Sequence, residues 1–216
     1  MIRGAIFDMD GTLLDSMQMW TTVFTEYVKS KGFTPTERQN RAFLEMTDAE
    51  AAVFMKKEFS LSDSVEKICS DLDSTVEKFY IEDSVLKPGA AELLELLKSR
   101  GVRMCILTST DRVPTEYGLR HTGIRDYFCE VLACSDYGSG KDRPFVFEKA
   151  LEVLGTKKEE TPVFEDALYS IRTARSCGFP VMAVLDEVSR SDWPEIKKLS
   201  DEYADSPKNL IPKLHL

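Results

Sequence analysis

The chain is predicted to be α/β, a doubly wound, mostly parallel sheet with an inserted helical segment. Three observations carry this. From residue 88 to the end, short apolar runs alternate with amphipathic stretches of helix length, as in parallel strands buried on both faces. A run of the same kind stands alone at 2–7, at the start of the chain. Between them lies a long, charged stretch with helical periodicity and no strand signal. The first strand therefore belongs with the distant ones. Residues 1–14 and 84–216 form the α/β core, and 15–83 is a helical insertion.

Each element follows from local chemistry. After the first strand, Trp20, Val23, Phe24, Tyr27 and Val28 fall on one helix face, and Gly32 stops the helix. Thr47 and Ser62 are cap signals that divide the stretch from Thr36 to Tyr80 into further helices. The connections of the insertion are placed near Asp15-Ser16 and at 81–87. Pro88 opens a helix carrying Leu93, Leu94, Leu96 and Leu97, which Gly101 closes. Strands are expected at 102–107, 129–133, 162–164 and 181–185. Helices are expected at 145–154, closed by Gly155, and where Ala167, Ile171 and Ala174 share a face.

Composition narrows the function. At 43% hydrophobic and 30% charged the chain is an ordinary globular protein. A net charge of −9 without a long basic run argues against nucleic acid as partner. No apolar stretch approaches the roughly 20 residues that span a bilayer, and the N-terminus is too short and acidic for a secretory signal. Cys69, Cys105, Cys129, Cys134 and Cys177 are scattered. They read as reduced thiols and small buried hydrophobes of a cytoplasmic protein. His121 and His215 fall in no motif and are expected at the surface, so histidine chemistry is not expected. An acidic chain of this size is compatible with a monomer.

In doubly wound sheets ligands bind beyond the carboxyl ends of the strands. Asp8 and Asp10 follow the first strand, and Thr108-Ser109-Thr110-Asp111 follows the second. Gly138-Ser139-Gly140-Lys141 lies in the loop after the third, and Glu165-Asp166 follows the fourth. The last strand offers no comparable group. Two carboxylates about 4 Å apart repel by about 4 kcal/mol at an effective dielectric near 20, so Asp8 and Asp10 imply a cation or a shared proton. Four carboxylates, Asp8, Asp10, Glu165 and Asp166, are expected to converge, with Lys141 the obvious cation among these loops. Hard oxygen donors suit Mg²⁺. Thr108, Lys141 and backbone N–H groups after Asp8, starting at Met9, suit phosphate oxygens. The set fits phosphoryl transfer, in which one carboxylate can attack phosphorus and another can manage the proton.

Asp8-Met-Asp10-Gly11-Thr12 resembles the DxDGT signature of the haloacid dehalogenase superfamily of phosphohydrolases. The later order of strand-Thr, loop-Lys and strand-Glu-Asp is similar to the rest of its motif series. The resemblance covers nearly the full chain, and the insertion sits where that superfamily places its C1 cap. The stretches "FDMDGTLLDS", "KDRPFVFEKALEVLG" and "VFEDALYSIRTARSCGFPV" resemble the β-phosphoglucomutase-like phosphatases. The resemblance implies Asp8 as nucleophile and metal ligand. It implies Asp10 as general acid and base, with its backbone carbonyl on the metal. Thr108, Ser109, Lys141 and the Met9 backbone would hold the phosphoryl group. Asp166 would ligate Mg²⁺, with Glu165 a ligand or just behind one, and a cap would close over the site.

Several positions depart from that branch. The lysine motif reads Lys141-Asp142-Arg143-Pro144-Phe145, Ala167 replaces a serine, and Tyr169-Ser170 replaces a glycine-containing turn. Trp20 stands where β-phosphoglucomutases carry a cap histidine. The segment Leu44-Glu45-Met46-Thr47-Asp48 lacks a glycine and a basic pair, so the cap is expected to lack groups for a second phosphate. Trp20, Met17 and Met46 are the candidate specificity residues. The expected function is hydrolysis of a small phosphorylated metabolite, such as a sugar phosphate or nucleotide-like compound. The alternatives are a mutase of the β-phosphoglucomutase type and a non-catalytic phosphate-binding regulator. A phosphonatase would need a cap lysine in the site, from Lys29, Lys31, Lys56 or Lys57.

Overall fold

The computed structural model describes residues 1–43, 46 and 48–214. Thr47, Leu44, Glu45 and His215 lie outside the described residues, as does the side chain of Asp48. Six parallel strands form one sheet: β1 (Gly4–Phe7), β2 (Arg103–Thr108), β3 (Phe128–Ala133), β4 (Val163–Glu165), β5 (Val181–Val184) and β6 (Glu202–Ala204). Their order is β3-β2-β1-β4-β5-β6. The chain reverses its direction of winding between β1 and β4, which places the crevice of a doubly wound sheet beside Asp8.

Side-chain alternation along the strands builds two cores. Ala5, Phe7, Met104, Ile106, Phe164, Met182 and Val184 face one way. Ile6, Cys105, Leu107, Val163, Val181 and Ala183 face the other. The first face is covered by α5 (Ala90–Ser99), α6 (Arg112–His121) and α10 (Pro207–Leu210), through Leu93, Leu97, Leu119 and Leu210. The second is covered by α7 (Pro144–Leu154), α8 (Leu168–Ser176) and α9 (Trp193–Leu199), through Phe147, Ala150, Ile171 and Ile196. Phe7 stacks on Phe164 with ring centroids 4.2 Å apart, tying β1 to β4.

Between β1 and α5 the chain forms α1 (Met17–Ser30), α2 (Glu37–Phe43), α3 (Asp48–Glu58) and α4 (Val65–Glu82), with no strand among the described residues. Trp20, Val23, Phe24 and Val28 are the buried face of α1. The cap of α4 is Ser64, whose hydroxyl accepts from the Lys67 N–H, and not the expected Ser62. The two connections run side by side: the Asp15 N–H donates to the Val85 carbonyl and the Lys87 N–H to that of Leu13.

Helices α6, α9 and α10 and strand β6 were not anticipated from the sequence. Helix α6 buries Pro114, Thr115, Gly118 and Leu119, so only one large apolar side chain marks its inner face. Strand β6 is three residues long, with Tyr203 exposed. The expectation that all five cysteines are buried fails at Cys129, which is exposed, while Cys105 and Cys134 are buried and Cys69 and Cys177 are half-buried. His121 is exposed.

Candidate active site

Because all strands run parallel, their carboxyl ends deliver Asp8, Thr108, Lys141 and Glu165-Asp166 to one edge. The turn after Asp8 is tight: the Leu13 and Leu14 N–H groups both donate to the Met9 carbonyl at 2.9 Å. Gly11 takes φ +85°, and a Cβ there would lie 2.6 Å from Asp166 Oδ2. The absence of a side chain at Gly11 thus lets this turn sit against the carboxylate of Asp166.

Three carboxylates converge. Asp8, Glu165 and Asp166 each offer an oxygen within 4.8 Å of the others, and all three are buried. Asp10 does not join them, which corrects the expectation of a fourfold cluster. Its Oδ1 accepts from Ser16 Oγ (2.6 Å) and from the hydroxyl of Tyr80 (2.5 Å), and its Oδ2 accepts from Thr110 Oγ1 (2.8 Å). Three hydroxyls thus fix this carboxylate in place, and its charge still acts on Asp8.

Lys141 is 3% exposed and binds Asp8 Oδ1 and Glu165 Oε1. Burial opposes its charge, but Asp8 and Glu165 hold its pKa well above the usual lysine range. The departures around it leave this reach intact, since Pro144 starts α7 just beyond the loop. Glu165 uses both oxygens: Oε1 takes Lys141, and Oε2 accepts the N–H groups of Asp166 (2.7 Å) and Ala167 (2.8 Å). Burial raises its pKa, yet Lys141 and these donors leave it below the usual carboxylate value. Burial, against the opposing charge of Lys141, pushes Asp8 up to about 7. Burial and the charges of Glu165 and Asp8 push Asp166 well above its ordinary value.

The donor chemistry fits a hard divalent cation. Asp8 Oδ2 is buried with no hydrogen-bond partner. Among the described residues the Asp166 carboxylate is held by the hydroxyls of Thr12 and Ser189 alone, each at 3.3 Å. Two carboxylates with capacity to spare, raised toward protonation by burial, are the arrangement a cation would relieve. Glu165, with both oxygens engaged, is placed to orient Lys141 and the start of α8.

A cavity of about 370 Å³ opens from these carboxylates toward α1 and α2. Thr108 and Ser109 line it; the Thr108 hydroxyl accepts from the Thr110 N–H at 3.1 Å. The expected specificity residues Met17, Trp20 and Met46 also line it. Lys29, Lys31, Lys56 and Lys57 do not, and Lys29, Lys31 and Lys56 bind acids or carbonyls of the helical segment.

Two expectations are corrected. The helical segment does bring a basic group to the cavity: Arg41, on α2, is paired with Asp192 at 2.6 Å. The last expected strand also contributes, since Ser189, beyond β5, reaches Asp166. Sequence reasoning missed Tyr80 and Ser16 as well, and placed Thr110 at its strand end without its bond to Asp10. Ser189 obeys the strand-end rule and was findable; Tyr80, 70 residues from Asp10, carried no signal.

A family model described as haloacid dehalogenase-like hydrolase matches residues 5–184. A phosphorylated carbohydrates phosphatase of Thermotoga maritima is 26% identical over 82% of this chain and 82% of its own. In fold, CbbY from Rhodobacter sphaeroides in complex with phosphate superposes with a TM-score of 0.83 at 22% identity, covering 97% of this chain and 96% of that one. A β-phosphoglucomutase from Clostridium difficile superposes at 0.80 and 19% identity, covering 97% and 93%.

Proposed function

The chain belongs to the haloacid dehalogenase-like hydrolase family, and from that premise we propose that it hydrolyses small phosphomonoesters through an aspartyl-phosphate intermediate, with Mg²⁺ as its metal. The observation that carries this reading is Asp8, which has one oxygen held by Lys141 and the other buried without a partner. A carboxylate so arranged is held for attack and not merely for packing.

Asp8 attacks phosphorus and forms the acyl-phosphate bond, while the ester P–O bond breaks. Asp10 gives its proton to the departing alkoxide. Water then attacks the acyl phosphate as Asp10 takes the water's proton, and inorganic phosphate leaves with Asp8 restored. Lys141, Thr108, Ser109 and the Met9 backbone hold the phosphoryl oxygens. Asp8, Asp166 and the Asp10 carbonyl would hold Mg²⁺, and Glu165 would steady Lys141. The metal supplies charge neutralisation at the phosphoryl group. Residues 15–83 act as a cap that sets the leaving group and controls water. The relative named for phosphorylated carbohydrates supports a small phosphorylated metabolite as partner. Action in the cytoplasm, as a monomer, completes the reading; no helix among the described residues is long and apolar enough to cross a membrane.

The test is phosphate release from a panel of phosphomonoesters, with and without Mg²⁺. Release is expected to need Mg²⁺ and to fall by roughly three orders of magnitude or more in Asp8→Asn. Release that survives this substitution would remove Asp8 as nucleophile. Arg41 favours a second reading, a mutase, because an arginine on the cap side could leave Asp192 for a second phosphate. Isomerised sugar phosphate among the products, in place of free phosphate, would establish it.

A further inference from the structure

Many of the cavity's polar side chains away from Asp8 are paired with one another. Arg41 is paired with Asp192, and Arg172 with Glu195 at 2.7 Å. Thr110 is committed to Asp10 and Ser189 to Asp166. The indole N–H of Trp20, the one polar atom on that ring, donates to the Tyr80 hydroxyl at 3.2 Å. For a polyhydroxylated leaving group entering here, the Arg41 and Arg172 pairs are exposed and open at little cost, whereas the bonds of Thr110, Ser189 and the Trp20 N–H are made by buried groups and are costly to break.

The cavity's remaining surface is of another kind. Trp20 and Phe24 lie with ring centroids 5.5 Å apart, and Phe24 and Phe43 5.2 Å apart, at shallow interplanar angles of 32° and 28°. All three are buried and line the cavity, with Met17 and Met46 beside them. Phe54 closes the stack from behind, edge-on to Phe43 at 5.6 Å. These rings, carried on α1 and α2, form one wall of the cavity, backed by Phe54. Thioethers next to aromatic rings accept flat, polarisable surfaces, and offset rings are their favoured partners.

We infer that the alcohol released by this site carries a planar aromatic or heteroaromatic ring, seated against the Trp20–Phe24–Phe43 wall, and is not a free sugar. This rests on the phosphatase reading for the phosphate end only; the wall is a separate observation. Trp20, the most accessible of the three rings, is then the specificity-determining residue that contacts the leaving group, and Phe43, 1% exposed, is a positioning residue that acts through Phe24.

The experiment is calorimetric binding to Asp8→Asn protein with Mg²⁺, which holds intact ester whether or not the parent protein turns it over. 1-Naphthyl phosphate is expected to bind at least tenfold tighter than glucose 6-phosphate, with hexyl phosphate between them. Trp20→Leu and, separately, Phe43→Leu are expected to shrink the naphthyl-to-glucose ratio at least threefold, each checked for folding by circular dichroism. Glucose 6-phosphate binding as tightly as the naphthyl ester would overturn the inference, and so would ring esters that fail to bind. Hexyl phosphate equalling the naphthyl ester would overturn the ring in favour of a merely apolar group. Phosphate release by the parent protein is measured in parallel. If it is absent for every ester while the binding order holds, the phosphatase reading fails and the ring assignment stands.

Discussion

Asp10 shows how one side chain can be legible by type and illegible by direction. The spacing Asp8-x-Asp10 announced two carboxylates, but their partition rests on the hydroxyls of Ser16, Thr110 and Tyr80. Tyr80 is fully buried, and burial together with the charge of Asp10 holds its phenol well above the ordinary pKa. It is a neutral donor to Asp10 and an acceptor for Trp20. Tyr80→Phe would remove one of three donors that orient Asp10, the proposed general acid, and leave the Trp20 N–H unpaired. Turnover is expected to fall roughly tenfold with KM little changed, read from steady-state kinetics on a single ester. Gly11→Ala tests the other side of the site. Its positive φ would cost on the order of 1–3 kcal/mol in a residue with a Cβ, and the new carbon would press on Asp166 Oδ2 at 2.6 Å. Mg²⁺ affinity, followed by titration calorimetry, is expected to drop at least tenfold, while the sheet itself stays folded.

Among the elements, α4 and α6 meet most closely where Gly118 faces Tyr80: a Cβ on Gly118 would lie 2.7 Å from Tyr80 Cδ1. The helical segment is thus seated on the core through the same tyrosine that orients Asp10. Gly118→Ala would force that ring aside, at about 1–3 kcal/mol for an overpacked contact. Thermal unfolding is expected to shift down by roughly 2–4 °C per kcal/mol, and turnover to fall with it. An unchanged melting point would show that the contact yields freely. This contact was invisible in the sequence for the reason that hid α6 altogether. A helix packed through proline, threonine and glycine has no apolar stripe to count. Strands β1 to β5 were legible because both of their faces are buried, so their apolar runs are continuous. The short edge strand β6 buries little and gave no such run. In the site, what followed a strand end could be read, whereas what the insertion brings back, Tyr80 and Arg41, could not. Pairing across 70 or 150 residues leaves no local trace.

For the molecule as a whole, the buried carboxylates link folding to protons and to divalent metal. The pKa of Asp8 rises from its ordinary 3.8 to about 7 in the folded chain, and that of Asp166 is raised as well. Between those values the folded protein binds protons that the unfolded chain has released. Stability without metal therefore increases as pH falls from above 7 toward the ordinary carboxylate range, and is lost as pH rises through about 7. Glu165 is shifted the other way, so its stabilisation is present above its ordinary 4.5 and fails only below it. The two tendencies separate between about pH 5 and 8, where the raised groups Asp8 and Asp166 act and Glu165 does not. In EDTA the melting temperature is expected to be higher at pH 6 than at pH 8. A bound divalent cation takes the place of the proton and competes with it, so millimolar Mg²⁺ should raise the melting temperature more at pH 8 than at pH 6. Asp8→Asn removes one of the two raised groups, together with the charge that helps to raise Asp166, and should reduce the metal-free slope. The histidines cannot account for the difference, because that substitution leaves both in place. A slope in EDTA that persists unchanged in Asp8→Asn would mean that the proton binds elsewhere, and would separate the charge of Asp8 from the stability of the fold.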